Sequence, residues 1–160
     1  MSEPVANGAA ENNGPTFAVE KIYVKDVSFE APGAPQVFTE QGQPNLEMNL
    51  NQRVQRVADN LFEVELGVTL SCKLAEKTIY LVEIQQAGVF LISGIEGEEL
   101  KQILASYCPS LLYPYAREAV SDLVSKGGFP QLLLQPVNFD RLYQQARESE
   151  AAKAPTEGNA

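Results

Sequence analysis

Residues 62–74, FEVELGVTLSCKL, alternate apolar and polar side chains along their whole length. Every second position from Phe62 to Leu74 is apolar, and Glu, Gly, Thr, Ser and Lys fill the positions between them. Strict alternation is typical of a strand with one buried and one wet face, as in antiparallel sheets. This stretch therefore predicts an antiparallel sheet as the centre of the fold.

Three further strands are predicted around it. A first strand runs from Phe17 to Ala31, and a second begins near Leu46, where apolar and polar residues again alternate. Residues 75–77 are short enough for a hairpin, which leads into a fourth strand, TIYLVEIQQAGVFLIS, at 78–93. The sheet is therefore expected to have four strands.

The fourth strand is apolar on both of its faces. Only Glu83, Gln85 and Gln86 interrupt its apolar run. A small domain can hardly bury both faces of so long a strand by itself, so we expect a second subunit to cover part of it.

Helical spacing follows the strands. Cys108-Pro109 is expected to stop a first helix, and Pro114 suits the first position of a second helix, which Gly127-Gly128 ends. Asn138 is expected to cap a last helix that runs to about Ala152. Four strands followed by helices predict an α+β fold, with the helices packed on an antiparallel sheet.

The chain is expected to hold one domain between two tails. Residues 1–15 and 151–160 are poor in apolar anchors and are interpreted as disordered tails, which leaves a domain at 16–150. Residues 32–45 carry several prolines and glycines and form a long loop. Long loops in small domains are often functional.

Charge and composition exclude several classes of function. The formal net charge is −9, which argues against nucleic acid and anionic membrane surfaces and favours a basic partner. The chain begins with neither a signal peptide nor a transit peptide and has no membrane-spanning apolar run. These features predict a cytoplasmic protein that does not insert into membranes.

Nothing in the sequence supports catalysis. The chain contains no histidine, so Cys108 lacks the usual base, and Cys72 is interpreted as a reduced core thiol. Asp26 and Glu30 are ~13 Å apart along one strand at ~3.3 Å per residue. A glycosidase pair needs carboxyl groups within ~5–9.5 Å. We therefore expect no enzyme activity, no cofactor and no metal.

Two features are open to a binding role or an ordinary structural one. In the first strand, alternation puts Tyr23, Val27 and Phe29 on one face and Asp26, Ser28 and Glu30 on the other. The acids form either a solvated face or a docking surface. Four large apolar residues have no assured place in a small core, and they either pack under the long loop or line a binding groove: Phe38, Leu111, Leu112 and Tyr113.

Three long segments resemble a known family. They are IYVKDVSFEAPGAP (22–35), EIQQAGVFLISGIEG (83–97) and YCPSLLYPYAREAVSDLVSKGGFPQLLLQPVNFDRLY (107–143). Together they are similar to SecB, the bacterial protein-export chaperone. The resemblance covers roughly residues 17–143 and leaves the tails unmatched.

The resemblance implies an ATP-independent chaperone that holds secretory precursors unfolded and delivers them to the translocation ATPase SecA. It also implies a cytoplasmic homotetramer, built as a dimer of dimers with helices packed between the dimers. The contacts to SecA's basic C-terminal segment fall here on Asp26, Glu30, Leu81 and Glu83. Grooves for unfolded clients are expected along the long loop and the helices, at Phe38, Leu46, Leu100, Leu104, Leu111, Leu112 and Tyr113.

Two departures and two rival functions accompany this interpretation. Gly42 stands where a tryptophan is typical of the family, and the last helix, with QQARESEAAK at 144–153, is more charged than the family pattern. A chaperone of the same fold could instead serve a toxin–antitoxin client. A small-molecule enzyme is the other rival, opposed by the absence of histidine.

Overall fold

Four antiparallel strands form one sheet in the computed structural model, which describes residues 14–153. The sheet order is β1-β4-β3-β2, so β1 and β2 are its edges. The strands are β1 (Thr16–Glu30), β2 (Asn45–Ala58), β3 (Leu61–Leu74) and β4 (Lys77–Ser93). The predicted antiparallel sheet is confirmed.

The two faces of the sheet have different surroundings. The face that packs against the helices, here the inner face, carries the apolar side chains of β3 and β4, and Val64, Leu66, Val82 and Ile84 are fully buried there. The opposite or outer face carries the polar positions of β3, whereas β4 places Leu81, Ala87, Val89 and Leu91 there beside Glu83 and Gln85. Alternation thus separates the core from the wet surface in the way that residues 62–74 predict.

The helices follow the strands, as expected for an α+β fold. A short helix, α1 (Gly97–Gln102), continues through a π-helical turn at Ile103–Tyr107 into α2 (Cys108–Lys126), and α3 (Phe139–Lys153) ends the described chain. Helix α2 packs across β4 and β3, and α3 packs on the π-helical turn. These contacts place the helices on one side of the sheet.

The predicted break at Cys108-Pro109 is wrong. The backbone N–H of Cys108 bonds to the carbonyl of Ile103, five residues back, so the turn before Pro109 is a wide π-helical turn. A wide turn accommodates a proline ring that would clash in a regular helix. The helix therefore passes through Pro109 without ending.

Pro114 likewise lies inside α2 and does not begin it. An interior proline costs about 3 kcal/mol. The buried stripe of the helix, which includes Leu112, Ala116, Val120 and Val124, outweighs this cost because each large apolar side chain contributes ~1.5–3 kcal/mol on burial.

Asn138 caps α3, as predicted. Its Oδ1 accepts a hydrogen bond from the backbone N–H of Arg141 at 3.0 Å. The preceding segment, 129–137, has no regular secondary structure. The predicted helix start is therefore confirmed by its cap.

A β-bulge in β1 corrects the predicted faces of that strand. Tyr23 pairs with Ala87 and Asp26 pairs with Gln85, so Lys25 is an extra residue without a partner in the register. Because the extra residue reverses the alternation, Tyr23 lies on the outer face together with Asp26, whereas Val27 stays on the inner face. The prediction that Tyr23 shares a face with Val27 is wrong.

The inner face extends beyond the helices at both edges of the sheet. Val19, Val24 and Val27 of β1 are between 44% and 49% exposed, and Leu46 and Val54 of β2 are 42% and 43% exposed. Helix α2 packs mainly on the two central strands, and apolar surface remains exposed on either side of it.

The predicted tails fall mostly outside the described residues. Residues 1–13 and 154–160 lie beyond the described range, and residues 151–153 belong to α3. Among the described helices, none is long and apolar enough to cross a membrane.

Candidate binding surfaces

Asp26, Glu30, Leu81 and Glu83 come together on the outer face; we call them the acidic surface. In the register of β1 and β4, Ser28 lies opposite Glu83 and Glu30 lies opposite Leu81. Glu83 is therefore diagonal to both Asp26 and Glu30, at ~7–8 Å between Cα atoms. The strand pairing thus places Glu83 between two acids that are far apart along their own strand.

The three carboxylates of the acidic surface are open to solvent. Asp26, Glu30 and Glu83 are exposed, and Leu81 is half-buried beside them. None of the three forms an ion pair with another residue in the range 14–153. The surface therefore presents uncompensated negative charge around one apolar side chain.

A second charged group lies next to the acidic surface; we call Tyr23, Lys25, Glu63 and Glu65 the Lys25 cluster. The Lys25 Nζ lies 2.9 Å from Glu63 Oε1 and 3.4 Å from Glu65 Oε2. The Tyr23 hydroxyl donates a hydrogen bond to Glu63 Oε2. Arg53 of β2 lies opposite Glu65 in the register. The two carboxylates of this cluster thus share the Lys25 ammonium.

The titration of the Lys25 cluster reflects these contacts. Hydrogen bonds from Tyr23 and Lys25 lower the pKa of the Glu63 carboxyl. Burial and the hydrogen bond to Glu63 raise the pKa of the Tyr23 hydroxyl to about 12. Both shifts favour the charged carboxylate beside a neutral phenol and a charged ammonium.

On the inner face, an apolar groove of about 510 Å³ opens at the start of β2; we call it the aromatic groove. Phe38, Leu46, Tyr80 and Phe129 all line it. The ring centroid of Phe129 lies 5.2 Å from that of Phe38 and 4.8 Å from that of Tyr80. Phe38 is still 51% exposed, so its ring can contact a further apolar group.

Two predicted groove residues are part of the core. Leu112 is fully buried and Tyr113 is 5% exposed. The Tyr113 hydroxyl donates to the carbonyl of Gln135 at 2.5 Å, and its ring packs edge-on against Phe139. Of the two alternatives left open for these residues, packing in the core is the one that the structure shows, because α2 directs both side chains inward.

The other predicted groove residues have mixed environments. Leu100 and Leu111 are half-buried and pack against the core. Leu104 is 9% exposed and lines a separate cavity of about 780 Å³, together with Val54 and Tyr143. A contact of these three leucines with clients stays a prediction.

Sequence reasoning missed Tyr80 and Phe129 as groove residues. They lie 49 positions apart in the sequence, and only the fold brings their rings together. Gly42, which also lines the groove, has φ of 146°, and a Cβ there would lie 2.8 Å from Leu74 Cδ1. A side chain in place of Gly42 would therefore be strained in this conformation of the loop.

The two cysteines are buried, which confirms the core interpretation of Cys72. Burial raises the pKa of the Cys108 thiol to about 12, and burial also raises that of Cys72. A buried thiol of raised pKa is a poor nucleophile.

Comparison with known proteins gives one consistent family. Residues 10–150 match the family model of SecB, the preprotein translocase subunit SecB. The chain is 54% identical over 155 positions to the protein-export protein SecB of Xylella fastidiosa, covering 94% of this chain and 90% of that protein. It is 51% identical over 170 positions to the SecB of Xanthomonas campestris, covering 100% of both. It is 59% identical over 137 positions to the SecB of Methylococcus capsulatus, covering 84% and 88%.

Among solved structures, the chain resembles a SecB-like chaperone of Mycobacterium tuberculosis in complex with a ChAD peptide from an antitoxin. The TM-score is 0.64 at 20% sequence identity, and the match covers 76% of this chain and 91% of that one. At this identity the likeness concerns the fold alone.

Proposed function

Because the chain belongs to the SecB family, we propose that it holds secretory precursor proteins unfolded and delivers them to the translocation ATPase SecA. It is a protein-export chaperone and not an enzyme. The observation that carries this function is the family match over residues 10–150, together with relatives at about half identity over nearly the full chain. The toxin–antitoxin alternative is not favoured by these relatives.

The aromatic groove supports the binding of unfolded clients. Its exposed ring, Phe38, and its open neighbour Leu46 can take up the apolar side chains of an extended segment. Burial of one large apolar side chain contributes ~1.5–3 kcal/mol, so one groove alone binds weakly. Several grooves that act on one client would add their contributions through a high effective concentration.

The acidic surface supports docking of SecA. The basic C-terminal segment that the family resemblance assigns to SecA is complementary to three exposed carboxylates. Exposed charges of this kind govern the association rate and its salt dependence. Leu81 would add an apolar contact at the centre of the surface.

Exposed apolar surface at the edges of the sheet supports the proposed homotetramer. Val19, Val24 and Val27 lie on the helical side of β1 and are nearly half exposed. A further copy of the chain would cover such a surface and satisfy the unpaired edge of the strand.

Light scattering at micromolar concentration tests the homotetramer and should report four chains, with a dimer as the intermediate. A stable monomer would contradict the assembly. In this proposal the tetramer works in the cytoplasm.

Glu83→Lys tests the docking proposal. The variant and the wild type would be titrated in parallel against SecA and against an unfolded precursor. We expect weaker SecA binding, most clearly at ~0.01 M salt, where the Debye length is ~30 Å. Precursor binding should be unchanged, because the groove lies on the other face of the sheet.

A matched control makes the same charge change away from the surface. Glu76 is exposed in the turn between β3 and β4, so Glu76→Lys should weaken SecA binding clearly less than Glu83→Lys does. Loss of both SecA and precursor binding by Glu83→Lys would indicate misfolding or a shared site. Loss of neither would leave the carboxylates as ordinary solvated surface and contradict the docking proposal.

A further inference from the structure

The outer face of the sheet carries two neighbouring groups of charged side chains, which differ in whether their carboxylates form ion pairs. The acidic surface has three exposed carboxylates without an ion-pair partner among residues 14–153. The Lys25 cluster, directly beside it, has its carboxylates paired and their side chains only 15% and 13% exposed. Lys25 and Asp26 are consecutive residues, so the boundary between the two groups runs between these two side chains.

The bulge in β1 creates this boundary. In a regular strand Lys25 and Asp26 would point to opposite faces. Here Lys25 is the extra residue of the bulge, and its ammonium reaches Glu63 and Glu65 on the outer face of β3. Bulges commonly re-aim a side chain in this way. Lys25 and Asp26 therefore share the outer face, although they are neighbours in sequence.

Lys25 is a cation within reach of the acidic surface. Its long, flexible side chain is 44% exposed, and a Lys25 released from β3 could pair with Asp26. Such a pair would cancel one of the three charges that a basic partner meets. Glu63 and Glu65 oppose this release because they offer the Lys25 ammonium two acceptors. The hydrogen bond from the Tyr23 hydroxyl also fixes the Glu63 carboxylate in place.

We propose that Glu63 and Glu65 hold the Lys25 ammonium away from Asp26 and so keep the acidic surface free for a basic peptide segment. Glu63 and Glu65 are thus positioning residues for docking and are not contacts of the partner. The inference rests on the proposed docking of SecA at the acidic surface. It assigns the Lys25 cluster the role of setting the charge that the partner meets.

A double-mutant cycle on SecA binding tests the proposal. The binding of SecA is measured for the wild type, Glu63→Gln, Lys25→Met and the double variant at low salt. If Glu63 only adds negative charge, Glu63→Gln has the same effect with Lys25 or Met at position 25. If Glu63 holds Lys25, the substitution weakens binding more when Lys25 is present, because it also releases the ammonium towards Asp26.

We expect Glu63→Gln to weaken SecA binding about twofold to fivefold in the Lys25 background, the range for exposed ion pairs. In the Lys25→Met background the same substitution should have a clearly smaller effect. Equal effects in the two backgrounds would overturn the proposal. Glu20→Gln, which removes the same charge from β1 without contacting Lys25, should give equal effects in both backgrounds.

Two further measurements keep the result interpretable. The cycle is repeated with Glu65→Gln, which leaves the hydrogen bond between Tyr23 and Glu63 in place and guards against unfolding of the first variant. Glu83→Lys is measured alongside. If Glu83→Lys binds SecA as well as the wild type does, the docking proposal fails and this inference falls with it. If Glu83→Lys loses SecA but the cycle shows no coupling, only the role of Glu63 and Glu65 is refuted.

Discussion

The two faces of the sheet use the same alternation of residues for different purposes. On the inner face, Val64, Leu66 and Ile84 are buried under α2, and their positions are fixed by packing. On the outer face, charged groups such as Glu83 and Lys25 are placed by the register between strands and by one bulge. Changes at the buried positions of the inner face should therefore alter stability, whereas changes at exposed positions, in the aromatic groove or on the outer face, should alter partner binding at nearly constant stability.

The largest effect is expected for Leu112→Ala. Leu112 is fully buried against the sheet, and a Cβ added at Gly88 would lie 3.0 Å from its Cδ2. Loss of a buried leucine typically lowers the free energy of unfolding by ~2–5 kcal/mol. Urea denaturation measures the change, and Leu133→Ala, at a residue that is 64% exposed, is the control and should stay within ~0.5 kcal/mol.

This variant also decides between core and groove for Leu112. If Leu112→Ala kept the stability of the wild type but bound an unfolded precursor less tightly, Leu112 would be a groove residue after all. A residue buried under α2 would then contribute to client binding and not to stability.

Phe38→Ala should have the next largest effect, on client affinity. Phe38 contributes an exposed ring to the aromatic groove, and truncation of an aromatic contact at the centre of an interface typically costs more than ~1 kcal/mol, about fivefold in affinity. Fluorescence titration with an unfolded precursor measures the change. Tyr115→Ala removes a ring of similar exposure, 53%, from α2 outside the aromatic groove and should leave the affinity unchanged.

Unchanged precursor affinity of Phe38→Ala with an intact fold would remove Phe38 from the groove. A large fall in unfolding free energy would instead make Phe38 a structural residue that holds Phe129 and Tyr80 in place.

The sequence was sufficient to predict features that depend on a single strand or a local cap. The alternation in 62–74 predicts the sheet, and Asn138 predicts the start of α3, because the relevant contacts lie within a few residues. The π-helical turn before Pro109 could not be predicted, since a wide turn depends on the packing of the helix on the sheet. Local rules therefore favoured a helix end where tertiary contacts keep the helix continuous.

The binding surfaces were predicted less completely than the fold. The family resemblance named the four residues of the acidic surface, and the register brings them together. The Lys25 cluster joins residues 38 positions apart, and the bulge that aims Lys25 has no sequence signature of its own. For the same reason, Tyr23 was assigned to the wrong face. Long-range pairing decides both features.

A smaller effect is expected for Glu30→Gln on the kinetics of SecA association. The substitution removes one exposed negative charge from the acidic surface and should lower the association rate at low salt. At ~1 M salt the Debye length is ~3 Å, so the rates of variant and wild type should converge. Stopped-flow measurements over a salt series test this, with Glu76→Gln as the control. A difference that persists at high salt would mean that Glu30 makes a specific contact.

The smallest expected effect is the dependence of stability on pH that Glu63 contributes. Hydrogen bonds from Tyr23 and Lys25 lower the pKa of Glu63 in the folded protein below the value of 4.5 for a free carboxyl. A lowered folded pKa stabilises the fold above about pH 4.5, and this stabilisation is lost as the pH falls through the folded pKa. Glu63→Gln does not titrate, so the difference in unfolding free energy between wild type and variant, no more than about 1 kcal/mol, should shrink between pH 6 and pH 3.

Tyr23→Phe removes the larger cause of the shift and should show a weaker pH dependence than the wild type. Urea denaturation at a series of pH values measures all three proteins. Parallel curves for the wild type and Glu63→Gln would mean that Glu63 gains nothing from its partners, and only Glu65 would then remain to hold Lys25.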